Sequence, residues 1–463
     1  MNALGTMLGI VITLIVGYLI FKKYKPHAVL LAAGLLLLFL AQALGISPIL
    51  KPEESTGFLL FDAFEYLKNS MSKNTAAIGM IIMSVGGYAS YMNHIGAGEA
   101  MVHLCIKPLK KIGSPYVVLA MAYVIGQILN IFIPSAAGLA VLLMATAYPV
   151  LVALGVSKIS AVSVIATTAC LDLGPASGAT NIAAEASSID TMVYFLKYQM
   201  GVAVPIIIAI AIFHYFVQKR MDKKLGMGLF AAGGPEGQSE QKEQEKKKAS
   251  APAFYAILPI IPLILLMVFN DFVIKTISMN VITAMLIGLF VSIVLEIFVK
   301  RNVKETCKGI QAFFDGMGKQ FSTTITLIIA AEVFSKGLQS IGLINAVIEG
   351  AGRMGFGAVP MTVIMVIIIS ATAFVTGSGN AAFLSFSALV PAISQSFGIE
   401  AVVLSLSMQL AAGIARSMSP VASCLIAPAA YADVSPIDVA RRTFLPMLVG
   451  IVVLLICDFI FFL

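Results

Sequence analysis

The residues best suited to hold a small anion are gathered in one short run, Val375-Thr376-Gly377-Ser378-Gly379-Asn380, set between two apolar segments. Thr376 and Ser378 carry hydroxyls and Asn380 an amide, while Gly377 and Gly379 let the backbone approach a ligand closely. Further on, Arg416 stands in Ala415-Arg416-Ser417-Met418-Ser419-Pro420, inside another apolar stretch. A guanidinium matches a carboxylate through two parallel hydrogen bonds. The chemistry on offer is therefore anion binding. Bond-making has little support: the four histidines are scattered, no HExxH occurs, and the five cysteines show neither CxxC nor metal spacing. The run is not a P-loop, because no Gly-Lys-Ser/Thr follows it.

What must position these groups is a membrane fold. Of the 463 residues 59% are hydrophobic and 11% charged, against about 25% charged in soluble domains, and the mean hydropathy is +0.97. The net charge of +7 is carried by short Lys and Arg runs between apolar segments, which is how topology is written rather than how nucleic acid is bound. In hydrocarbon a break in a helix is tolerated only where it is buried in protein or lines a wet cavity. An arginine at the centre of a membrane helix costs roughly 2.5–3.5 kcal/mol on insertion scales. Arg416 thus needs a partner, either a bound carboxylate or Asp172, which lies in the corresponding break of the first half.

Read in order, residues 4–21 form a retained first span that ends at the basic run Lys22-Lys23-Tyr24-Lys25, marking the cytoplasmic side. Residues 27–46 return outward. The segment FLLFDAFEYLKNSM is predicted to lie along the interface, and residues 76–92 go back in, towards Lys107, Lys110 and Lys111. A hairpin broken at 130–138 follows, then a span broken at 172–178, a surface helix over 190–199, and a span over 201–217 that ends at Lys219-Arg220. Residues 218–252 are expected to be a disordered cytoplasmic linker. The plan then repeats: spans over 253–269, 281–298 and 320–338, a hairpin tipped by Thr376 to Asn380, a span over 402–426 broken at 415–420, a surface helix over 433–442 and a last span from 445. Pro149 aligns with Pro391, and Pro175 with Pro420. Five crossings per half invert the second copy relative to the first. The expected fold is an all-α polytopic membrane protein, an inverted-topology repeat with about ten transmembrane helices, two re-entrant hairpins and two broken helices.

The segments VTGSGNAAF, ARSMSPVAS, GLAVLLMATAYPV, GYASYMNHIGA and APAFYAILP resemble the DcuC-type anaerobic C4-dicarboxylate transporters of the ion transporter superfamily. The resemblance runs nearly end to end, linker excepted. It implies a homodimeric secondary carrier in the bacterial inner membrane that moves succinate, fumarate, malate or aspartate by an elevator motion. Residues 1–112 and 253–357 would be scaffold, and 113–217 and 358–463 transport elements. The tips differ from the paired Ser-Asn-Thr tips of the dicarboxylate symporter branch, and Asp172 falls where an apolar residue is expected in the family. The alternative is a carrier of another small organic or amino-acid anion in the same superfamily. A channel would need a continuous polar pathway, and the sequence offers isolated breaks.

Helix N-termini after Gly138 and Asn380 would aim positive dipole ends at the midplane. The expected substrate contacts are Asn130, Ser135, Gly138, Ser177, Thr376, Gly377, Ser378, Gly379, Asn380, Arg416 and Ser419, with Asp172 as an ion-coupling group for Na⁺ or H⁺. No cofactor, resident metal or nucleic-acid partner is expected, and no ATP-binding motif is present, so ion or substrate gradients would drive transport. Both termini are expected outside. Glu332, Glu185 and Asp458 are weaker candidates, the last two placed near span ends where water is close. His94 and His103 sit near the cytoplasmic end.

Overall fold

The computed structural model describes residues 3–22, 24–111, 114–224, 252–269, 277, 279–344, 346, 350 and 357–462. Among them every regular element is a helix. The chain is a multi-pass membrane protein: nine of the described helices are long and apolar enough to cross a bilayer. Three shorter apolar ones, Leu4–Ile20, Ala253–Val268 and Ala401–Arg416, stand beside them.

The first half opens with α1 (Ala3–Phe21) and α2 (Pro26–Ala43). Next, α3 (Leu59–Asn74) passes through a π-helical turn, Thr75–Gly79, into α4 (Met80–His94), and α5 (Ala97–Ile106) follows. The hairpin is α6 (Pro115–Phe132) and α7 (Ala136–Ala153), and the broken span is α8 (Lys158–Ile165) and α9 (Gly178–Ala186). A short α10 (Thr191–Val193) and a π turn, Tyr194–Gln199, lead into α11 (Met200–Lys224).

The second half has a 3-10 helix, Ala253–Ile260, running into α12 (Ile261–Val268), then α13 (Val281–Lys300). After it, α14 (Val303–Gln320) continues through the π turn Phe321–Ile325 into α15 (Thr326–Ser340). Its hairpin is α16 (Ala358–Thr376), α17 (Gly379–Ser387) and α18 (Val390–Phe397). Its broken span is α19 (Ala401–Arg416) and α20 (Ser423–Tyr431), and α21 (Pro436–Phe461) closes the chain.

Local chemistry sets the interruptions. Ser135, Ser157, Ser177 and Ser378 each stand at a helix N-terminus and accept the backbone N–H of Gly138, Ser160, Thr180 and Ala381, a cap that contributes about 1 kcal/mol. Helix α16 stops at Gly377, whose φ of +70° is the left-handed stop that glycine adopts without penalty.

Four expectations are corrected. FLLFDAFEYLKNSM does not lie apart along the interface; it begins one continuous helix, Leu59–His94. Likewise the span expected over 320–338 is the end of a longer helix, Val303–Ser340. The two surface helices are not separate: 190–199 is α10 and the π turn that run straight into α11, and 433–442 holds the opening turns of α21. Tyr194, Gln199, Val439 and Arg442 within them are buried, because these turns sink into neighbouring helices. The linker does not begin at 218: α11 continues to Lys224, with Gln218 and Asp222 buried. The remainder of the expected linker, 225–251, and Lys23 lie outside the described residues.

Helices of the first half pack on helices of the second. Helix α2 lies against α15, α4 against α14, and α5 against the 3-10 helix. Helix α11 lies along α21, α7 along α20, and α9 along α19, while within the second half α16 and α17 lie along α19. This crossing brings the four interruptions together.

Candidate functional site

The break between α8 and α9 leaves residues 166–177 largely unwound, and nearly all of them are buried. A backbone group left unmet in such a place costs several kcal/mol, so its hydrogen bonds must be found elsewhere. They come from side chains of surrounding helices. Gln127 of α6 donates to the Thr167 carbonyl at 3.0 Å, and Asn130 accepts the Leu173 N–H at 3.2 Å. Gln199 accepts the Gly174 N–H at 3.1 Å. Gln409 of α19 donates to the carbonyls of Leu171 at 3.1 Å and Asp172 at 3.3 Å, and the Thr180 hydroxyl also donates to Asp172, at 2.9 Å. Asn181 donates to Pro175 at 2.8 Å and to Ser177 at 2.7 Å. These side chains keep the segment open without exposing it.

The break between α19 and α20 is built differently. Its N–H groups fold back on the preceding turn, Ser417 to Gly413, Met418 to Ala415 and Ser419 to Arg416. That turn sets Arg416 across the gap onto the first break. Its Nη1 lies 3.1 Å from Asp172 Oδ2, and its Nη2 donates to the Ala169 carbonyl at 2.6 Å. Asp172 is held in the left-handed region, φ 47°, which aspartate tolerates better than most side chains. Both residues are buried. Among the described residues Arg416 Nε has no hydrogen-bond partner.

The two hairpin tips close on these breaks. A Cβ at Gly377 would lie 2.8 Å from the Val421 carbonyl group, and one at Gly379 would lie 3.0 Å from the Ala412 carbonyl oxygen. Thr376 donates to the Thr372 carbonyl at 2.8 Å. On the other side, Asn130 also donates to the Ile133 carbonyl at 3.4 Å, so one amide ties the first tip to the first break. Pro134, Pro175 and Ala176 line a crevice against Tyr88, Pro259 and Pro262 of about 20 Å³, room for roughly one water.

The residues expected to contact substrate divide by position. Arg416, Ser419, Asp172, Gly377 and Gly379 are buried at the meeting of the breaks, with Thr376 and Ser378 half-buried beside them. Ser135, Ser177 and Ser378 spend a lone pair on capping, which leaves each O–H free to donate. Asn130 is wholly buried and its amide is committed to backbone. Ser135, Gly138 and Asn380 are exposed. Glu332 sits away from the breaks, accepting from Ser70 at 2.7 Å and from Asn74, and His94 and His103 are exposed. Glu185 is exposed as expected, but Asp458 is not near water: it is 0% exposed, because α21 is covered there by α19 and the turn before α11.

Sequence reasoning missed the amide set Gln127, Gln199 and Gln409, whose signal was an uncharged but strongly polar residue inside an apolar run. It also missed a second buried ion pair. Arg442 Nη1 lies 2.6 Å from Asp222 Oδ1, with Ser157 and Ser160 donating to the same carboxylate at 2.9 and 2.8 Å. This pair joins α8, α11 and α21 at one end of the fold.

Similarity to known proteins agrees with this architecture. A solved structure of Neisseria gonorrhoeae MtrF, described as illuminating a class of antimetabolite efflux pumps, superposes with a TM-score of 0.61. It does so at 13% identity over 95% of each chain, a likeness of fold. A Vibrio cholerae protein named as a probable anaerobic C4-dicarboxylate transporter DcuC is 37% identical over 98% of this chain and 97% of its own length. The Escherichia coli K12 anaerobic C4-dicarboxylate transporter DcuC is 34% identical over 97% of this chain and 95% of its own. The sequence pattern of the DcuC family, the C4-dicarboxylate anaerobic carriers, matches residues 4–462, and the chain belongs to that family.

Proposed function

We propose that this protein is a secondary transporter of C4-dicarboxylates (succinate, fumarate, malate or aspartate) across a bacterial inner membrane, working in efflux, exchange or uptake. The observation that carries the reading is the meeting of both helix breaks at a buried arginine, with one hairpin tip packed against each break. Family membership supports the substrate class. In this reading the two halves are inverted copies, both termini face outward, and two chains form a homodimer. The crevice at the first tip is too small for a dicarboxylate as it stands, so in this reading the first tip moves for substrate to reach the site. Elevator movement of the hairpins and broken helices against the other helices opens it to each side in turn.

Arg416 holds one substrate carboxylate. When substrate arrives, its carboxylate takes the place of Asp172 on the guanidinium, and the freed aspartate accepts the coupling ion, Na⁺ or H⁺. Hydroxyls of Ser135, Ser177, Thr376, Ser378 and Ser419, the Asn380 amide and backbone N–H groups at Gly138, Gly377 and Gly379 orient the rest of the anion. The test is counterflow in proteoliposomes with succinate, fumarate, malate, aspartate, citrate and a neutral amino acid, each with and without Na⁺. Four-carbon diacids should exchange and the amino acid should not. Exchange of the amino acid but of no diacid would replace the reading with another anion or solute class.

A further inference from the structure

Asp458 is the buried carboxyl that the site above leaves unused. It lies near the end of α21, fully buried, and its Oδ1 has no hydrogen-bond partner among the described residues. Its Oδ2 is 2.7 Å from Ser407 Oγ on α19, and that same Oγ is 2.8 Å from the Val403 carbonyl. A serine hydroxyl has a single proton to donate. The Ser407 hydroxyl gives it either to Oδ2 or to the Val403 carbonyl, the usual back-bond of a helical serine; in the second case the contact to Oδ2 is a hydrogen bond only when the carboxyl donates. An ionised carboxylate here would have one bare oxygen in an apolar setting, which is the costly arrangement.

No described cation is in ion-pair distance of Asp458. The titratable groups around it are Cys457 on its own helix and Tyr194 in the turn before α11, which lies within electrostatic range. Tyr198 and Lys197 stand by Phe462 at the nearby end. On α19 the facing group is Ser407, and no charged residue occurs on α20. The charged residues of α8, α11 and the start of α21 (Lys158, Asp222 and Arg442 among them) gather at the far end, where Asp222 meets Arg442. From Tyr194 a buried chain leads inward. Its hydroxyl donates to Gln409 at 3.0 Å, and Gln409 donates to the Asp172 carbonyl.

We propose that Asp458 is a proton-binding site of the carrier, loaded as a neutral acid in the state seen here, and that its loading and release couple transport to the proton gradient. Release sends the proton to water at the near end of α21 and leaves a carboxylate that is reloaded from the opposite side. The coupling role rests on the functional reading above; the proton assignment does not.

The experiment compares wild type with Asp458→Asn and Ser407→Ala in proteoliposomes. Infrared difference spectra at neutral pH, read without substrate, should show a protonated-carboxyl C=O band that shifts in D₂O and is missing from Asp458→Asn. Should Asp458→Asn fail to fold, Ser407→Ala should move the same band to higher frequency by removing the acceptor. In transport, an acid gradient should stimulate wild-type succinate movement severalfold, and Asp458→Asn should bring that stimulation ratio to about one. A spectrum with no band lost or moved in either variant overturns the proposal whatever the transport result. An unchanged stimulation ratio in Asp458→Asn overturns the coupling role. A wild type that moves no diacid overturns the functional reading, and with it the coupling, while the band still decides the proton.

Discussion

Arg416 and Asp172 come from the broken spans of the second and first halves and meet with Nη1 3.1 Å from Oδ2. Each is the other's principal charged neighbour in a buried setting, so removing one leaves a buried charge uncompensated. Such a loss costs about 3–5 kcal/mol. Asp172→Asn and Arg416→Gln are each expected to lower thermal stability in detergent. The double variant should lose less than the sum, with a coupling energy of about 0.5–3 kcal/mol. Additive losses would mean that the pair carries no energetic weight.

The crossing that makes this meeting depends on Gly413. A Cβ there would lie less than 3 Å from the Cys170 carbonyl oxygen and 3.2 Å from Asp172 Oδ2. Neither neighbour is the free end of a flexible chain, so the broken helices must move apart. Gly413→Ala is expected to cost about 1–3 kcal/mol and to depress transport at normal membrane expression. A melting temperature equal to wild type would count against so close a crossing.

Gln409 of α19 serves the first break and the turn before α11 at once, donating to Leu171 and Asp172 and accepting from Tyr194 and Gln199. Gln409→Leu keeps much of the volume but strands buried backbone carbonyls, each worth about 1–3 kcal/mol when unmet. The variant should melt earlier than Asn380→Ala, whose side chain is exposed. Equal melting of the two would show that the unwound segment finds its hydrogen bonds elsewhere.

At the opposite end, the Arg442–Asp222 pair is fully buried and tied to Ser157 and Ser160. Arg442→Met alone is expected to destabilise by about 3–5 kcal/mol, and Arg442→Met with Asp222→Leu to recover most of it, since apolar replacement of both partners is often neutral. The comparison is made by thermal melts of purified protein. A double variant no better than the single one would assign the loss to the serines and Gln218 rather than to the charges.

Much of this arrangement was legible beforehand. Glycine, proline and serine within apolar runs marked the breaks at 130–138, 172–178, 376–380 and 415–420, because few other residues end a helix inside a bilayer. Arg416 and Asp172 stood out for the cost of burying charge. The long helices Leu59–His94 and Val303–Ser340 were not legible at their full length. Their first turns are polar enough to read as interfacial, and what buries Ser70 is a partner distant in sequence, Glu332. The same limit hid Asp458. Its place close to a span end suggested water, and only the packing of α19 against α21 shows that it is enclosed.

The central claim, that the joined interruptions form a dicarboxylate site around Arg416, is tested most directly by counterflow of labelled succinate in proteoliposomes carrying wild type or Arg416→Lys. Lysine keeps the charge and loses the planar fork that pairs with a carboxylate. The account predicts a fall in succinate affinity of about tenfold or more, with the protein still present in the membrane. Wild-type affinity and rate in Arg416→Lys would contradict it.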